Sequence, residues 1–433
     1  MKTCLAILLL LPSALLAQDD LWDDEGWGDE GWGDEEWSDE EQATIWSGFA
    51  EAGLGTRFHS DPLISNDNTL EELRWRVESE WNPGKLALAL KADAAYDGIS
   101  SSFEADIRDL SAAFTLGQNL DIKLGRQIQT WGTGDLVFLN DLFPKDWVSL
   151  FAGRDDEYLK APGNSIRLTR FSSVVNVDFV WAPTFQPDNY LTGERFSFFS
   201  PLAGSNVAPA PPLSAIEPGN SLSNGEFALR LFKNVGGREY AFYAYQGFFK
   251  TPNAMTASLQ PTFAAMTSLG ASLRQPLGRG LFNAEVSWYI SNDDRDGDNP
   301  LIPNGQVRLL AGYEWEALVS FTVGLQYYLE LALDHQALID NSPVPEFEPD
   351  EYRHLLTNRL TYRGGRDKHI WSLFTFYSPS DKDAFLRPVY SYRHNDQWSV
   401  TAGANIFGGD EIHTFFSQLE DASNVYLRLR YNY

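Results

Sequence analysis

Three aspartates, Asp294, Asp296 and Asp298, alternate along one short stretch in the manner of a loop that binds a hard cation. Gly297 would let the backbone curl around an ion, and carboxylate oxygens are the ligands that Ca²⁺ prefers. The stretch has no distal glutamate of the kind that closes an EF-hand loop. The pattern therefore favours a solvated loop, with a calcium site as the alternative.

Catalytic chemistry has little support in the sequence. The six histidines are scattered without metal-ligand spacing. His413, Ser417 and Glu420 could supply a base and a nucleophile, but their spacing does not fix the two side by side, as such chemistry requires. We therefore predict that the protein is not an enzyme and has no cofactor. A hydrolase is the remote alternative.

Residues 125–147 mix glycines, aromatic side chains and charges in a way that is unusual for a loop in open solvent. Folded back into an enclosed space, at about residues 131–162, such a segment could bury its aromatic rings and set a constriction that selects by charge and width. The alternative is an external loop packed on its neighbours. The candidate pore residues are Arg126, Trp131, Asp135, Asp141, Lys145 and Asp146.

The elements that would position these residues are strands with one apolar and one polar face. Segments of roughly 10 to 14 residues with period-two alternation recur from about Thr44 to the chain end. The polar faces are too charged for a packed core, which would have to pair every charge. A wet lumen is the better interpretation. The predicted lumen charges are Arg74, Arg76, Arg353, Arg359, Arg363, Arg428, Arg430, Glu72, Glu78, Glu80, Asp178 and Glu330.

The connections between these segments alternate in length. Eight tight turns, among them 82–85, 117–119 and Glu314–Glu316, separate nine longer loops. Short turns on one rim and long loops on the other are typical of an outer-membrane barrel. We predict an all-β, transmembrane antiparallel barrel over residues 44–433 with about 18 strands, 16 being the alternative count.

Both ends of the chain fit this architecture. Residues 1–17, with Lys2 and an apolar run, have the pattern of a signal peptide. At the other end, Leu427, Leu429 and Tyr431 alternate with arginines, and the last residue is the aromatic Tyr433. Such an ending resembles the terminal strand of a bacterial outer-membrane barrel. It is expected to pair with the first strand and to put both termini on the periplasmic rim.

The run from Gly125-Arg126-Gln127 through Trp131-Gly132, Asn140-Asp141 and Pro144-Lys145-Asp146 also resembles a porin-like family of unknown function. That family is often associated with exporters of the resistance-nodulation-division (RND) type. The resemblance covers the barrel loosely, and its specific part is this one run. It implies transport of small or hydrophobic molecules across the outer membrane.

Four copies of a pentapeptide, Trp-x-Asp-Glu-Gly/Glu, fill the acidic stretch at 18–43, which has 13 Asp or Glu and no Lys or Arg. Like charges at this density favour disorder, and evenly spaced tryptophans suit a multivalent ligand. We expect a periplasmic tail that docks a periplasmic or inner-membrane transporter partner. A plug in the lumen and a solubilising leader are the alternatives. The docking residues would be Trp22, Trp27, Trp32 and Trp37.

The net charge of −27 excludes nucleic acid as a partner, because phosphates attract clusters of Lys and Arg. The expected partners are outer-membrane lipid, lipopolysaccharide and a small solute. We predict a porin-like transport barrel in the bacterial outer membrane that passes small or hydrophobic solutes through a loop-constricted lumen. The alternative is the outer-membrane component of an envelope-spanning export or lipid-transfer system that is docked through the tail; an outer-membrane hydrolase is more remote.

Overall fold

The computed structural model describes residues 45–433. The predicted signal peptide and the four tail tryptophans, Trp22, Trp27, Trp32 and Trp37, lie outside the described residues. Among residues 45–433, no helix is both long enough and apolar enough to cross a membrane.

The described chain forms one closed antiparallel barrel of 18 strands, which confirms the predicted fold and strand count. The strands are β1 (Ile45–Arg57), β2 (Asn68–Trp81), β3 (Leu86–Asp97), β4 (Ser102–Leu116), β5 (Leu120–Gln127), β6 (Gly163–Arg170), β7 (Asn176–Ala182), β8 (Glu226–Val235), β9 (Arg238–Phe248), β10 (Ala265–Leu277), β11 (Gly280–Ser291), β12 (Gln306–Leu318), β13 (Phe321–Ala332), β14 (Tyr352–Gly364), β15 (His369–Ser378), β16 (Asp383–Arg393), β17 (Trp398–Gly409) and β18 (Asn424–Asn432). Each strand pairs with the next along the chain. Pairing of β1 with β18, from Phe49 opposite Asn432 to Arg57 opposite Asn424, closes the barrel as expected from the sequence.

The two faces of each strand differ as the alternation predicts. On β18 the side chains of Val425, Leu427 and Leu429 are exposed, whereas Arg428 between them is buried. On β2, Leu73 and Trp75 are likewise exposed. Exposed apolar side chains form the outer surface that a membrane barrel presents to lipid, and the charged side chains point inward.

Helices and short hairpins occur only in the loops of the described part. The α-helices are α1 (Trp147–Ala152) and α2 (His335–Asn341), and the 3₁₀ turns are Asp156–Leu159, Leu222–Asn224, Pro345–Phe347 and Ser417–Ala422. Two small hairpins, Phe198–Ser200 with Ser205–Val207 and Ala254–Met255 with Pro261–Thr262, lie in the loops after β7 and β9. We call the rim that carries these loops the loop rim.

One predicted turn is misplaced. Strand β12 continues past Glu314–Glu316 to Leu318, and the chain reverses at Val319 and Ser320. The two glutamates read as a turn signal, but Trp315 between them keeps the alternation of the strand. Ser320 has a positive φ of 61°, and its N–H donates to the Glu316 carboxylate at 2.9 Å, so the glutamate stabilises the turn from the strand end.

The wall is lowest at β5, β6 and β7, which have 8, 8 and 7 residues, whereas β4 before them has 15. The chain leaves the wall at the end of β5 and returns at the start of β6. We call the intervening residues 128–162 the inner segment.

Candidate functional site: the inner segment and the barrel lumen

The inner segment bonds to strands on opposite sides of the barrel. Trp131 donates from Nε1 to Asp178 on β7 at 3.2 Å, and the backbone N–H of Asp135 donates to Gln326 on β13 at 2.7 Å. Two asparagines on β17 and β18 donate to the carbonyl of Phe151. Contacts with opposite walls of a closed barrel require a path through its interior. These bonds therefore place the segment across the lumen.

Trp131 and Asp135, two of the candidate pore residues, contact predicted lumen charges. Besides its bond to Asp178, Trp131 packs edge-on against Phe143, with ring centroids 5.1 Å apart. The Asp135 carboxylate accepts two hydrogen bonds from the Arg359 guanidinium, at 2.5 and 2.8 Å. Each of these two contacts joins a candidate pore residue to a predicted lumen charge.

Asp141, Lys145 and Asp146 stabilise the inner segment from within. Lys145 donates from Nζ to the Asp141 carboxylate at 2.9 Å and to a nearby carbonyl, and both side chains are buried. Asp146 caps α1 by accepting from the N–H of Ser149 at 2.7 Å. An N-terminal carboxylate satisfies amides that the helix itself leaves free. The geometry gives these residues a role in holding the segment's shape.

Arg126 lies elsewhere, which corrects its expected placement in the lumen. It is opposite Leu110 in the β4–β5 register and shares a face with Leu124, and both leucines are exposed. Because alternate residues of a strand point to opposite faces, Arg126 belongs to the outer face. Its guanidinium binds the Ile107 carbonyl at 2.5 Å and Asp106 at 3.2 Å, at the free upper edge of β4.

An acidic turn that was not among the predicted site residues forms ion pairs with arginines of three strands. We call Asp155, Asp156 and Glu157 the acidic turn. Asp155 pairs with Arg428 at 3.0 Å and Arg430 at 3.2 Å. The other pairs are Asp156 with Arg387 at 2.5 Å and Glu157 with Arg76 at 2.5 Å. Three consecutive carboxylates thus meet arginines from β18, β16 and β2. The run Arg-Asp-Asp-Glu was a visible signal for this contact.

The pKa values of the acidic turn reflect these pairs. Burial alone would raise the pKa of Asp155, but Arg430 and Arg428 overcome it and hold the pKa well below its usual range. The pKa of Asp156 is lowered as well, because the attraction of Arg387 outweighs the partial burial of the carboxylate. Asp155 and Asp156 are therefore anionic at neutral pH, and their attraction to the arginines is present throughout the physiological range.

The lumen charges pair rather than segregate by sign. The pairs that include predicted lumen residues are Arg74–Glu72 at 2.6 Å, Arg76–Asp93 at 2.7 Å, Arg353–Asp381 at 2.6 Å, Arg430–Glu51 at 2.8 Å, Asp178–Arg167 at 2.6 Å, Glu330–Arg308 at 3.3 Å and Glu78–Lys91 at 3.2 Å. Glu80 and Arg363 lie near the turn ends of β2 and β14. Removing one member of a buried pair leaves an uncompensated charge, which is costly.

The two sides of the lumen differ in chemistry. Arg359, Arg387, Arg428 and Arg76, on strands β14 to β2, form a surface that we call the arginine wall. The opposite surface, on β7 to β11, is an apolar cluster with Tyr243, Tyr245, Met266 and Tyr289 among its members, and we call it the aromatic wall. Trp131 belongs to this cluster, and Leu142 and Phe143 pack against it. The inner segment therefore turns its acidic side to one wall and its apolar side to the other.

Glu285 on β11 anchors the inner segment, and no described Lys or Arg forms an ion pair with it. Its carboxylate accepts from the backbone N–H of Thr133, from the Thr133 hydroxyl at 2.9 Å and from the Gly134 N–H at 2.9 Å. The Asn140 amide donates to the second oxygen at 2.7 Å. Nothing in the sequence alone marks Glu285, because it resembles the other charges of the inward faces.

A second loop, between β7 and β8, also holds the inner segment. Asp188 accepts from the N–H of Lys145 at 2.8 Å and from the Trp147 indole at 2.9 Å. Burial raises the pKa of Asp188 to about 6, although Lys145 opposes the shift. Burial likewise lowers the pKa of Lys160 to about 8, although the nearby Asp141 favours its charged form.

The other candidate chemistry does not assemble. Within residues 45–433 no three His, Cys, Asp or Glu side chains form a group that could hold a metal. Asp294 instead accepts from the N–H groups of Gly297 at 3.1 Å and Asn299 at 2.9 Å, so its carboxylate stabilises its own loop. Asp296 and Asp298 do not join it in a metal site. His413 packs against the rings of Phe199 and Phe347, which also contact each other.

The fold is similar to solved barrel structures at low sequence identity. Pseudomonas aeruginosa OccK11 (OpdR) is 10% identical with a TM-score of 0.53, and the match covers 90% of this chain and 95% of that chain. Acinetobacter baumannii OccAB3 is 11% identical with a TM-score of 0.53, covering 90% and 99%. Pseudomonas aeruginosa OccK10 (OpdN) is 13% identical with a TM-score of 0.50, also covering 90% and 99%.

No protein-family model and no curated protein matches the chain. The resemblance to a family associated with RND-type exporters therefore stays a prediction. At these identities the solved structures establish the fold alone: this chain has the fold of outer-membrane porin-like barrels.

Proposed function

We propose that the protein is a transport barrel of the bacterial outer membrane that passes small or hydrophobic solutes through a lumen narrowed by the inner segment. The outer face of exposed apolar side chains supports the membrane location, as does the likeness to outer-membrane barrels. The proposal of transport rests chiefly on one observation. A single segment bonds to both the arginine wall and the aromatic wall of a barrel wide enough to hold water.

The paired charges support a narrow path for uncharged solutes. An ion that entered beside the arginine wall would have to compete with the acidic turn, which already occupies Arg387, Arg428 and Arg430. The apolar side of the segment imposes no such competition. We therefore expect small neutral solutes to cross faster than ions of the same size.

Solute efflux from proteoliposomes tests this function. The purified full chain should release small neutral solutes, such as glycerol, well above protein-free vesicles, and should retain a trisaccharide. The same preparation after thermal unfolding is the control for leakage. Equal release from protein-containing and protein-free vesicles would contradict the proposal.

A second candidate is the outer-membrane component of an export or lipid-transfer system, docked through the acidic tail at 18–43. The neutralised lumen favours it, because a barrel that conducts poorly alone is expected of a component that opens with a partner. Replacing Trp22, Trp27, Trp32 and Trp37 with Ala should then abolish tail binding to the periplasmic partner. A large conductance that is unchanged by deletion of residues 18–43 would argue against this candidate.

A further inference from the structure

We propose that a pocket between the inner segment and the aromatic wall binds a small, neutral, largely apolar molecule that carries one hydrogen-bond donor. The inference rests on the proposed transport function and narrows its solute class. The pocket lies where the wall is lowest, at the loop-rim ends of β5 to β8. It is therefore a place where a solute can meet both the wall and the segment.

The lining of the pocket is mostly apolar. Its open space is about 450 Å³, which includes the mouth. Leu142, Phe143 and Ala161 contribute from the inner segment, and Val180 and Ala228 contribute from the wall. Ligand sites of this kind combine an apolar lining with a few polar groups that fix orientation. A compact ring or a short aliphatic chain suits the space.

One buried acceptor in the lining lacks a partner in the part of the chain that the structure describes. Gln129 is only 5% exposed, and its Oε1 has no hydrogen-bond partner within residues 45–433, whereas its Nε2 donates to the Ser165 hydroxyl at 3.4 Å. Buried polar atoms are nearly always paired, so an orphaned oxygen beside a pocket marks a place for a donor. A hydroxyl on an otherwise apolar molecule meets that requirement.

The charges at the pocket favour a neutral occupant. Lys250 and Glu226 both line it, and the Lys250 ammonium donates to both Glu226 oxygens at 2.7 Å. The Glu226 carboxylate also accepts from the Tyr245 hydroxyl at 2.5 Å. Because the two charges neutralise each other, an ionic ligand would gain no opposite charge in exchange for its lost hydration.

A second pocket repeats the pattern one step along the same wall. It has an open space of about 240 Å³ and shares Leu142, Phe143, Ala228 and Tyr245 with the first pocket. Asn140 lines it, and its Oδ1 is buried with no hydrogen-bond partner among the described residues. The aromatic wall thus carries two adjoining apolar spaces, and each has one buried amide oxygen that lacks a partner within residues 45–433.

Matched probes separate the acceptor from the apolar lining. 4-Fluorophenol and 4-fluorotoluene have nearly the same shape, but only the phenol can donate a hydrogen bond. Their binding to the purified full chain in detergent micelles is followed by ¹⁹F NMR titration. The wild-type protein should show saturable binding of both probes, with tighter binding of the phenol.

Three variants define the expected result. Gln129→Leu should weaken phenol binding about fivefold, the loss that corresponds to one hydrogen bond of about 1 kcal/mol, and leave toluene binding unchanged. Ala228→Phe should fill both pockets and abolish saturable binding of both probes. Ala105→Phe, on the exposed outer face of β4, is the matched control and should bind as wild type. If Ala228→Phe does not fold, Ala161→Phe fills the first pocket from the segment side.

Two kinds of result would contradict the proposal. The role of the Gln129 oxygen as an acceptor would be overturned if Gln129→Leu weakened the binding of both probes equally. It would also be overturned if the substitution weakened the binding of neither probe. Saturable binding that persists in the folded filling variant would overturn the pocket. Glycerol efflux measured on the same preparations separates the two proposals. Flux without saturable probe binding rejects this inference alone, whereas absence of flux rejects the transport function.

Discussion

Arg387 on β16 donates from Nη2 to the Asp156 carboxylate at 2.5 Å, although Asp156 belongs to a segment that leaves the wall at β5. The arginine is buried, whereas about half of the aspartate side chain is exposed. The pair therefore connects the inner segment to the far side of the barrel. It is also reachable by a competing ion, because one partner keeps contact with water.

Loss of this arginine should loosen the inner segment more than it unfolds the barrel. In Arg387→Gln the Asp156 carboxylate keeps access to water, so the cost in unfolding free energy should stay at about 1 kcal/mol. Limited proteolysis should instead cut within residues 128–162 faster than in the wild type. Arg366→Gln, at the turn after β14, is the control, and equal cleavage of both variants would contradict the contact's role.

Glu285→Ala should lower the free energy of unfolding more than Arg387→Gln does. The substitution removes the acceptor of four donors from the inner segment, and buried donors left unpaired cost about 1–3 kcal/mol each before the segment relaxes. We expect the free energy of unfolding to fall by about 3 kcal/mol or more. The measurement is the heat-dependent change in gel mobility that distinguishes the folded barrel from the unfolded chain. Glu104→Ala, at an exposed position on β4, should be close to neutral. Similar losses of unfolding free energy in Glu285→Ala and Glu104→Ala would contradict the role of Glu285 as an anchor of the inner segment.

Asp188 should make stability depend on pH between about 4 and 6. Its pKa of about 6 in the folded state, against a usual 3.8, means that the folded chain keeps a proton that the unfolded chain releases. The free energy of unfolding should therefore fall as pH rises through this window, by about 3 kcal/mol at most, and be flat above it.

The comparison with Asp188→Asn isolates this contribution from that of Asp155 and Asp156, whose lowered pKa values change the stability in the opposite direction. The difference in stability between the two proteins should change with pH only below about 6. Trp147 reports the site directly, because its indole donates to Asp188. A difference that is constant from pH 4 to pH 8 would contradict the raised pKa.

Gly153→Ala should destabilise the docking of α1. Gly153 ends the helix with φ at 86°, and an added Cβ would lie 2.2 Å from the ring of Tyr426 on β18. Gly84, with φ at 69° and open space around it, is the matched control. Gly84→Ala should cost about 1 kcal/mol from backbone strain alone. Gly153→Ala should cost clearly more in thermal unfolding, and equal costs would contradict the close approach.

The strands and their facing could be predicted from the sequence because they depend on local alternation. Period-two patterning predicted the closure of β18 on β1, and the alternation of short and long connections predicted about 18 strands. The turn at Glu314–Glu316 was wrong because two charges looked like a loop while the alternation continued. Arg126 was misplaced because its neighbours in the motif enter the lumen, whereas its own position in β5 faces outward.

The contacts of the inner segment could not be predicted, because they join residues far apart in the chain. Asp155 and Arg428 are 273 residues apart, and only the closed barrel brings them together. Charge alone made Arg359 and Asp135 candidates, but not partners. Glu285 and Gln129 were invisible for a different reason: their importance comes from burial and from the donors around them, which the pattern of a single strand does not contain.

Single-channel conductance in a planar bilayer tests whether the acidic turn holds the inner segment against the arginine wall and narrows the lumen. The wild-type protein should conduct weakly. Neutralising the turn with Asp155→Asn, Asp156→Asn and Glu157→Gln together should raise the conductance severalfold, while Asp340→Asn in the exposed helix α2 should change nothing. A large wild-type conductance that the triple variant leaves unchanged would contradict the account.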